Sequence, residues 1–292
     1  MPPLTVIVCA KDEEPHIADC IDSIFSQDYP RDKYSVIAVN DRSEDGTGAI
    51  LDERAARYGS LRVIHLETCP ENVSPKKNAI AQAIKYCKTE FIVATDADAQ
   101  HREQWLRSCA LCYDKLGAST GLSMFKKDTY TSAWERTWQS MQTLENLSHN
   151  VVIAGAMVNG FAITANGNNM LYRKELFREQ NALKNDVVTG DDSDIIYEAQ
   201  RRGYDVVFNA HPASVVRLVP EESIPAVINQ RIRWASHIMK ATLPVIVLGL
   251  TVFFFLLRSF LCHYLRFSGL GFSGTGADFC SLRRYVTFHI CW

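Results

Sequence analysis

The chain has 292 residues, long enough to bury a substantial core as one large domain or two smaller ones. Its 31 Lys and Arg against 33 Asp and Glu give a net charge of −2, so there is no basic field of the kind a nucleic-acid partner requires. Nine cysteines are scattered singly apart from Cys109-Ala-Leu-Cys112, and several lie inside apolar patterns. That favours reduced, buried thiols in a cytosolic compartment over a disulfide framework. The Cys-x-x-Cys pair lacks the second pair or His-x-x-His that would complete a zinc site. The amino terminus runs directly into the strand-like "LTVIVC", leaving no secretory signal to expect.

Strand-like runs at 4–9, 34–40, 61–66 and 91–95 alternate with helix-like stretches at 14–27, 45–58, 76–88 and 101–115. This rhythm predicts βαβ units and a mostly parallel sheet. Right-handed crossovers then bring the strand carboxyl ends to one edge, where ligands bind in open α/β sheets. The four strands are followed there by "AKDEE", "NDRSEDGT", "ETCPENVSPKKN" and "DADAQ". Three of these are rich in Asp and Glu, and the remaining one offers Lys76 and Lys77. No Gly-x-Gly-x-x-Gly follows the first strand, which argues against a dinucleotide site.

The fourth strand, "FIVAT", is apolar without alternation, as suits burial on both faces, and it ends in Asp96-Ala-Asp98. Residues two apart in an extended segment point the same way, so both carboxylates are expected to face one ligand. Paired hard oxygen donors suit Mg²⁺ or Mn²⁺. Asp is equally at home in turns and helix caps, which is the plainer reading of the triplet. A nucleotide diphosphate bridged by such a cation, with a lysine offsetting the remaining charge, fits this edge.

Further along, residues 131–150 predict a helix with Trp134, Trp138 and Met141 on one face, read as core. "NGFAITANGNNMLYRKELF" predicts a loop, a short strand and a helix start. In "TGDDSDIIYEAQRRG", Asp191, Asp192 and Asp194 open a helix whose Ile195, Ile196 and Ala199 face the core, and the acidic turn suits either capping or chemistry. "SIPAVINQRIRWASHIMK" predicts an amphipathic helix with Gln230, Arg233 and Trp234 on one face. An Arg beside a Trp there can hold a phosphate and stack on a ring, and an interfacial helix on a membrane has the same pattern. Residues 241–257 carry no charge, and a helix of that length rises about 26 Å against a roughly 30 Å hydrocarbon core. With Arg258 snorkelling, the apolar run continues to 265 and predicts a membrane helix. Arg231, Arg233 and Lys240 on its amino-terminal side put the large domain in the cytoplasm, at the cell membrane. Residues 266–292 are assigned no structure.

In this order, "TVIVCAKDEE", "VNDRSEDGT", the Asp-x-Asp, "GNNMLYRKELF", "GDD" and "QRIRW" make residues 4 to 258 resemble the family 2 glycosyltransferases of GT-A fold. The likeness is to their membrane-associated branch, which includes cellulose and hyaluronan synthases and bacterial relatives. It implies a GT-A-type, mostly parallel twisted sheet flanked by helices in 1–222. An interfacial helix in 223–240, a transmembrane helix in 241–265 and the unassigned 266–292 follow.

The resemblance also implies roles. Asp41 contacts the nucleotide base, uracil by expectation, with Lys77 near it or the diphosphate. Asp96 and Asp98 hold the nucleotide and its Mg²⁺ or Mn²⁺. Asp192 is the general base, preceded by Asp191 where many relatives have Glu. Gln230, Arg233 and Trp234 close over the diphosphate and acceptor site, and Asn168 and Asn169 line the sugar pocket. The implied activity is inverting transfer from a UDP-sugar to a lipid-linked or saccharide acceptor near the membrane. Relatives carry a helix before the first strand and several after the Trp motif. With one span expected here, simple transfer is preferred over polymer export, the alternative being a fragment of a processive synthase. A metal-dependent nucleotidyltransferase and a catalytically silent, membrane-tethered binding protein are the rival classes.

Overall fold

A computed structural model describes residues 1–71, 73–110, 114–126, 132–177, 191–221 and 223–238. The expected membrane helix at 241–265 and the tail at 266–292 lie outside the described residues. Among the described residues, no helix is long and apolar enough to cross a membrane. Met1–Lys240 form one compact unit.

The first half follows the predicted rhythm. Strands β1 (Leu4–Ala10), β2 (Tyr34–Asp41), β3 (Leu61–Leu66) and β4 (Phe91–Asp96) alternate with helices α1 (Ile17–Phe25), α2 (Thr47–Arg57) and α3 (Pro75–Ile84). Helix α1 buries Ile17, Cys20, Ile21, Ile24 and Phe25, the i, i+3, i+4, i+7 spacing of a single apolar stripe. Pro75 opens α3 in its first turn, where a missing N–H costs nothing.

The chain order then changes. After the pair of residues β5 (Gln100–His101) comes the short helix α4 (Trp105–Cys109), then β6 (Leu116–Gly121), β7 (Ser123–Phe125) and the long helix α5 (Ala133–Val158). Strand β8 (Met170–Arg173), helix α6 (Asp191–Arg201), strands β9 (Asp205–Asn209) and β10 (Val216–Leu218), and helix α7 (Ile224–Ile238) complete the described fold. The helix expected over 101–115 is thus reduced to five described residues. Gln100 and His101 instead pair antiparallel with β10, and His101 is tied by side-chain bonds to Ser23 and Thr95, which holds this stretch extended.

The main sheet has the order β3-β2-β1-β4-β8-β6-β9, and β5-β10-β7 form a smaller one. β8 runs antiparallel to both β4 and β6, while β1, β2, β3 and β4 are parallel. The register sets Ala10 beside Asn40 and Cys9 beside Asp96, so the loops that follow β1, β2 and β4 leave the sheet at one level. Both faces are covered. On one, Leu4, Val6 and Val8 pack with Ile21 and Ile24 of α1 and with Trp105. On the other, Ile7, Ile37 and Val39 pack with Ala79 and Ala83 of α3, Ile153 of α5 and Ile195 of α6.

Helix α5 departs from the sequence reading. Ser132 caps it by accepting from the Glu135 N–H at 3.1 Å, but Trp134 is 66% exposed and Met141 is also on the surface. The inward face carries polar residues ahead of the buried Ile153 and Met157. Gln142 donates to the Glu221 carbonyl at 3.0 Å, and buried Asn150 donates to the Ser123 carbonyl at 3.1 Å. Because these amides have backbone partners to satisfy, they face inward, and Trp134 and Met141 are turned out.

Among the described cysteines there is no disulfide; Cys9, Cys20, Cys69, Cys87 and Cys109 are free thiols. Burial pushes the Cys87 thiol up to about 11, which makes it chemically inert.

Gly121 ends β6 under Asn169, and a Cβ there would stand 2.5 Å from Asn169 Nδ2. Gly121→Ala should therefore destabilise the protein by about 1–3 kcal/mol, the usual cost of overpacking a filled core. Equilibrium urea unfolding measures it, and an unchanged midpoint would show that Asn169 has room to move.

Candidate active site

The carboxyl edge of the parallel strands is built from two interlaced loops. Asp12 and Arg42 both adopt left-handed backbone, with φ of 55° each. Such corners are uncommon outside Gly and cluster at functional sites. Each loop supports the other: the Asp12 N–H donates to Ser43 Oγ at 3.0 Å, and the Glu44 N–H donates to Asp12 Oδ1 at 2.8 Å. The Glu13 N–H donates to Thr47 Oγ1 at 2.8 Å. The turn at Arg42 also brings its guanidinium back onto buried Asp41, with Nε 2.7 Å from Oδ1. Asp41 is fixed in orientation as a result.

Strand β4 delivers the carboxylate pair. Asp96 is its last residue, whereas Asp98 lies one step into a turn rather than in the strand as the spacing argument assumed. The two still interact. Burial, and then the charge of Asp96, raise the Asp98 carboxyl to about 6. Glu13 is pushed further, to about 8, by burial first and then by Asp98 and Asp96. Sequence reasoning noted the acidity of "AKDEE" but singled out no member of it; the crowding of its carboxylates is visible only in three dimensions. Lys76 reaches across from α3 to Asp96 with Nζ 2.7 Å from Oδ1.

Among the described residues, no three His, Cys, Asp or Glu side chains converge on one point as a metal cage. The residues present nonetheless fit a hard cation that takes one or two carboxylates and completes its shell with water and phosphate oxygens. Partly desolvated carboxylates at about 6 and about 8 are the sign of such a deficit of positive charge. Asp96 and Asp98 would be the holders.

The second half of the site hangs on the turn 166–169. Thr95 Oγ1 donates to the Asn168 carbonyl at 2.9 Å and lies 2.8 Å from His101 Nε2. On its other side His101 Nδ1 lies 2.9 Å from Ser23 Oγ, which also donates to the Cys20 carbonyl at 2.7 Å. Burial holds His101 down to about 3, and it is neutral. The turn is pinned from the other side by Asn166, which donates to Asn150 Oδ1 at 2.7 Å. Asp192, in the first turn of α6, lies over this turn: a Cβ on Gly167 would be 3.4 Å from its Oδ2. Asp192 Oδ1 accepts from the Ser193 N–H at 2.7 Å. The neighbouring Asp194 takes the buried Lys77 ammonium at 2.7 Å, joining α3 to α6.

The structure thus gathers Asp96, Asp98, Lys77, Asn168 and Asp192 along one edge, with Asp41 at the adjacent strand end. The two asparagines differ. Asn168 Oδ1 is buried with no hydrogen-bond partner among the described residues, a group left for a ligand to satisfy. Asn169 is fully engaged, accepting from Trp105 Nε1 at 3.0 Å and donating to the Ser214 and Leu122 carbonyls at 2.7 and 3.0 Å. Its side chain organises the turn. Gln230 donates to Glu221 Oε1 at 2.8 Å and accepts from Arg231. The side chains of Asp191, Arg233 and Trp234 lie outside the described residues.

Comparison with known proteins follows the same outline. The sequence model described as "Glycosyltransferase like family 2" matches residues 2–236. A β-monoglucosyldiacylglycerol synthase of Trichormus variabilis is 26% identical over 241 residues, covering 81% of this chain and 49% of that protein. The chain therefore spans about half the length of that curated relative. Among solved structures, a mannosyltransferase from Pyrobaculum calidifontis in complex with GDP-Man and Mn²⁺ aligns with a TM-score of 0.60 at 24% identity, over 82% of this chain and 64% of its own. S. aureus TarS in complex with UDP-GlcNAc aligns with a TM-score of 0.52 at 18% identity, over 76% and 59%. These likenesses show the fold.

Two outcomes test the site's construction. Asn169→Ala strands a buried indole N–H and two carbonyls and should cost about 3–5 kcal/mol of unfolding free energy, whereas Asn168→Ala should leave stability within about 1 kcal/mol. Equal losses in the two variants would remove the distinction. Glu13 has a folded pKa raised above its unfolded value, so the folded state takes up a proton first and stability rises as pH falls from about 8.5 to 6.5. The thermal midpoint should climb over that window, and Glu13→Gln should flatten the climb.

Proposed function

Because the chain belongs to the family 2 glycosyltransferases and is an enzyme of that class, we propose that it moves one sugar from a UDP-sugar to a lipid-linked or membrane-proximal acceptor, with inversion at the anomeric carbon. The observation that carries this reading is the Thr95–Asn168 bond. It holds the turn beneath Asp192 against the strand that ends in Asp96, which supports reading the two carboxylates as proton acceptor and diphosphate holder.

Asp192 takes the proton of the acceptor hydroxyl as that oxygen attacks the anomeric carbon, and the bond to the diphosphate oxygen breaks on the opposite face. Asp41, held by Arg42, accepts the ring N–H of uracil. Asn168 offers its unpartnered Oδ1 to a hydroxyl of the donor sugar, and Asp191 flanks the base. Lys77, Gln230, Arg233 and Trp234 attend the diphosphate and the acceptor mouth. Mg²⁺ or Mn²⁺ bound by Asp96 and Asp98 supplies charge neutralisation of the departing diphosphate. The lipid acceptor is supported by the relative whose name gives a glucosylated diacylglycerol as its product. The charge-free run at 241–257 supports a membrane helix with this domain on the cytoplasmic side. Alkaline carbonate should leave the full chain in the membrane pellet, and its release would remove that part of the proposal.

Asp192→Asn decides the base. Transfer should fall about 10²–10⁴-fold, the usual contribution of a general base, while Mn²⁺-dependent donor binding stays within about twofold. Asp194→Asn, which frees Lys77, should weaken donor binding instead. A panel of UDP- and GDP-sugars scored by nucleotide release identifies the donor. Wild-type turnover in Asp192→Asn would move the base elsewhere, and release from GDP-sugars alone would replace uracil with guanine.

A further inference from the structure

Helix α5 has an outward face that the chemistry leaves unexplained. Its buried side mixes the polar Gln142, Asn146 and Asn150 with Ile153 and Met157. Its solvent side presents Trp134, Met141, Leu144, Leu147, Val151 and Val158, all exposed. At about 100° per residue these fall within one arc, and the remaining positions of that arc are Ala133, Thr137, Ser140, Ser148, Val152 and Gly155. No Asp, Glu, Lys or Arg interrupts it across 26 helical residues. A soluble surface normally mixes charges into such a length, and a contiguous apolar stripe marks an interaction surface.

What covers the stripe follows from its neighbour. α5 is fastened to the α7 region twice: Arg231 Nε lies 2.7 Å from Glu145 Oε1, and Gln142 bonds the Glu221 backbone through both its amide N and its amide O, at 3.0 and 3.1 Å. α7 itself exposes Ile228 and Ile232, one turn apart. A short way past Ile238 the chain enters the 17 charge-free residues at 241–257. The apolar stripe and the exposed isoleucines therefore lie on adjoining helices, and in the sequence the charge-free run follows the second of them.

We propose that the outward stripe of α5 is a bilayer-docking surface, lying in the headgroup and upper acyl region with Trp134 as its interfacial anchor. An uncharged helix face ending in Trp is suited to that depth, where an indole has one apolar face and one hydrogen-bonding edge. The stripe would fix the tilt of the catalytic edge over the membrane independently of any spanning segment, which goes beyond the transfer reaction proposed above and does not rest on it.

The test uses the full chain reconstituted into phosphatidylcholine vesicles containing lipid brominated near the headgroup end of its acyl chains. The Trp134 contribution is taken as the difference between the chain and its Trp134→Phe variant. That difference emission should be quenched about twofold or more, and Leu144→Glu/Leu147→Glu should abolish the quenching while leaving the thermal midpoint within a few degrees. These positions are exposed, so the double variant is expected to fold, and circular dichroism checks it. Difference emission that is unquenched in the otherwise unaltered chain overturns the proposal. So does a concentration-dependent dimer in detergent that the same double substitution disperses, because the stripe would then be covered by a second copy of the chain.

Discussion

One hydroxyl group holds the two halves of this site together. Thr95 sits at the end of β4, one residue before the first carboxylate of the pair, and its single proton goes to the Asn168 carbonyl. The same oxygen lies 2.8 Å from His101 Nε2, and His101 Nδ1 ties the edge back to α1 through Ser23. This crossing ties the end of β4 to the turn at 166–169. Asp96 and Asp98 come from the amino-terminal βα units, Asp192 comes from α6, and the turn at 166–169 bonds to β4 and lies beneath Asp192. The histidine suits this work because burial keeps it neutral, so the tie does not titrate in the physiological range.

The same edge is electrostatically unfinished. Glu13 and Asp98 are held far from their ordinary values because burial and neighbouring carboxylates add in the same direction, and Lys76 and Lys77 are already engaged with Asp96 and Asp194. Such an arrangement weakens the fold when it stands alone. It makes sense as ground prepared for a ligand that brings positive charge with it, since the binding free energy then includes relief of the repulsion.

The parallel half of the fold was legible in the sequence because its strands are uninterrupted apolar runs and its helices carry a single buried stripe, so period and length agree. The residues that follow each strand could be placed at one edge on topology alone. Helix α5 was not legible in the same way. Its Trp134, Trp138 and Met141 spacing reads as a core stripe, and nothing in a one-dimensional pattern reveals that Gln142 and Asn150 have backbone partners waiting inside. The antiparallel entry of β8 and the pairing of Gln100 and His101 with β10 were hidden for a related reason: both depend on partners far away in the chain. Within the candidate site, the positions of the carboxylate pair and Asp192 could be proposed from type and order. Glu13, the Lys77–Asp194 pair and the division of labour between Asn168 and Asn169 arise from proximity alone.

The interlaced loops after β1 and β2 bear on how this protein can be altered. Asp12 and Ser43, Glu13 and Thr47, and Glu14 and Asp45 satisfy one another across the gap between two strands, with both corners in left-handed backbone. Neither loop is a module. A chimera that imports one of them from a relative strands the hydrogen-bonding groups of the other, so the smallest heritable unit for recasting this edge is the pair, exchanged together.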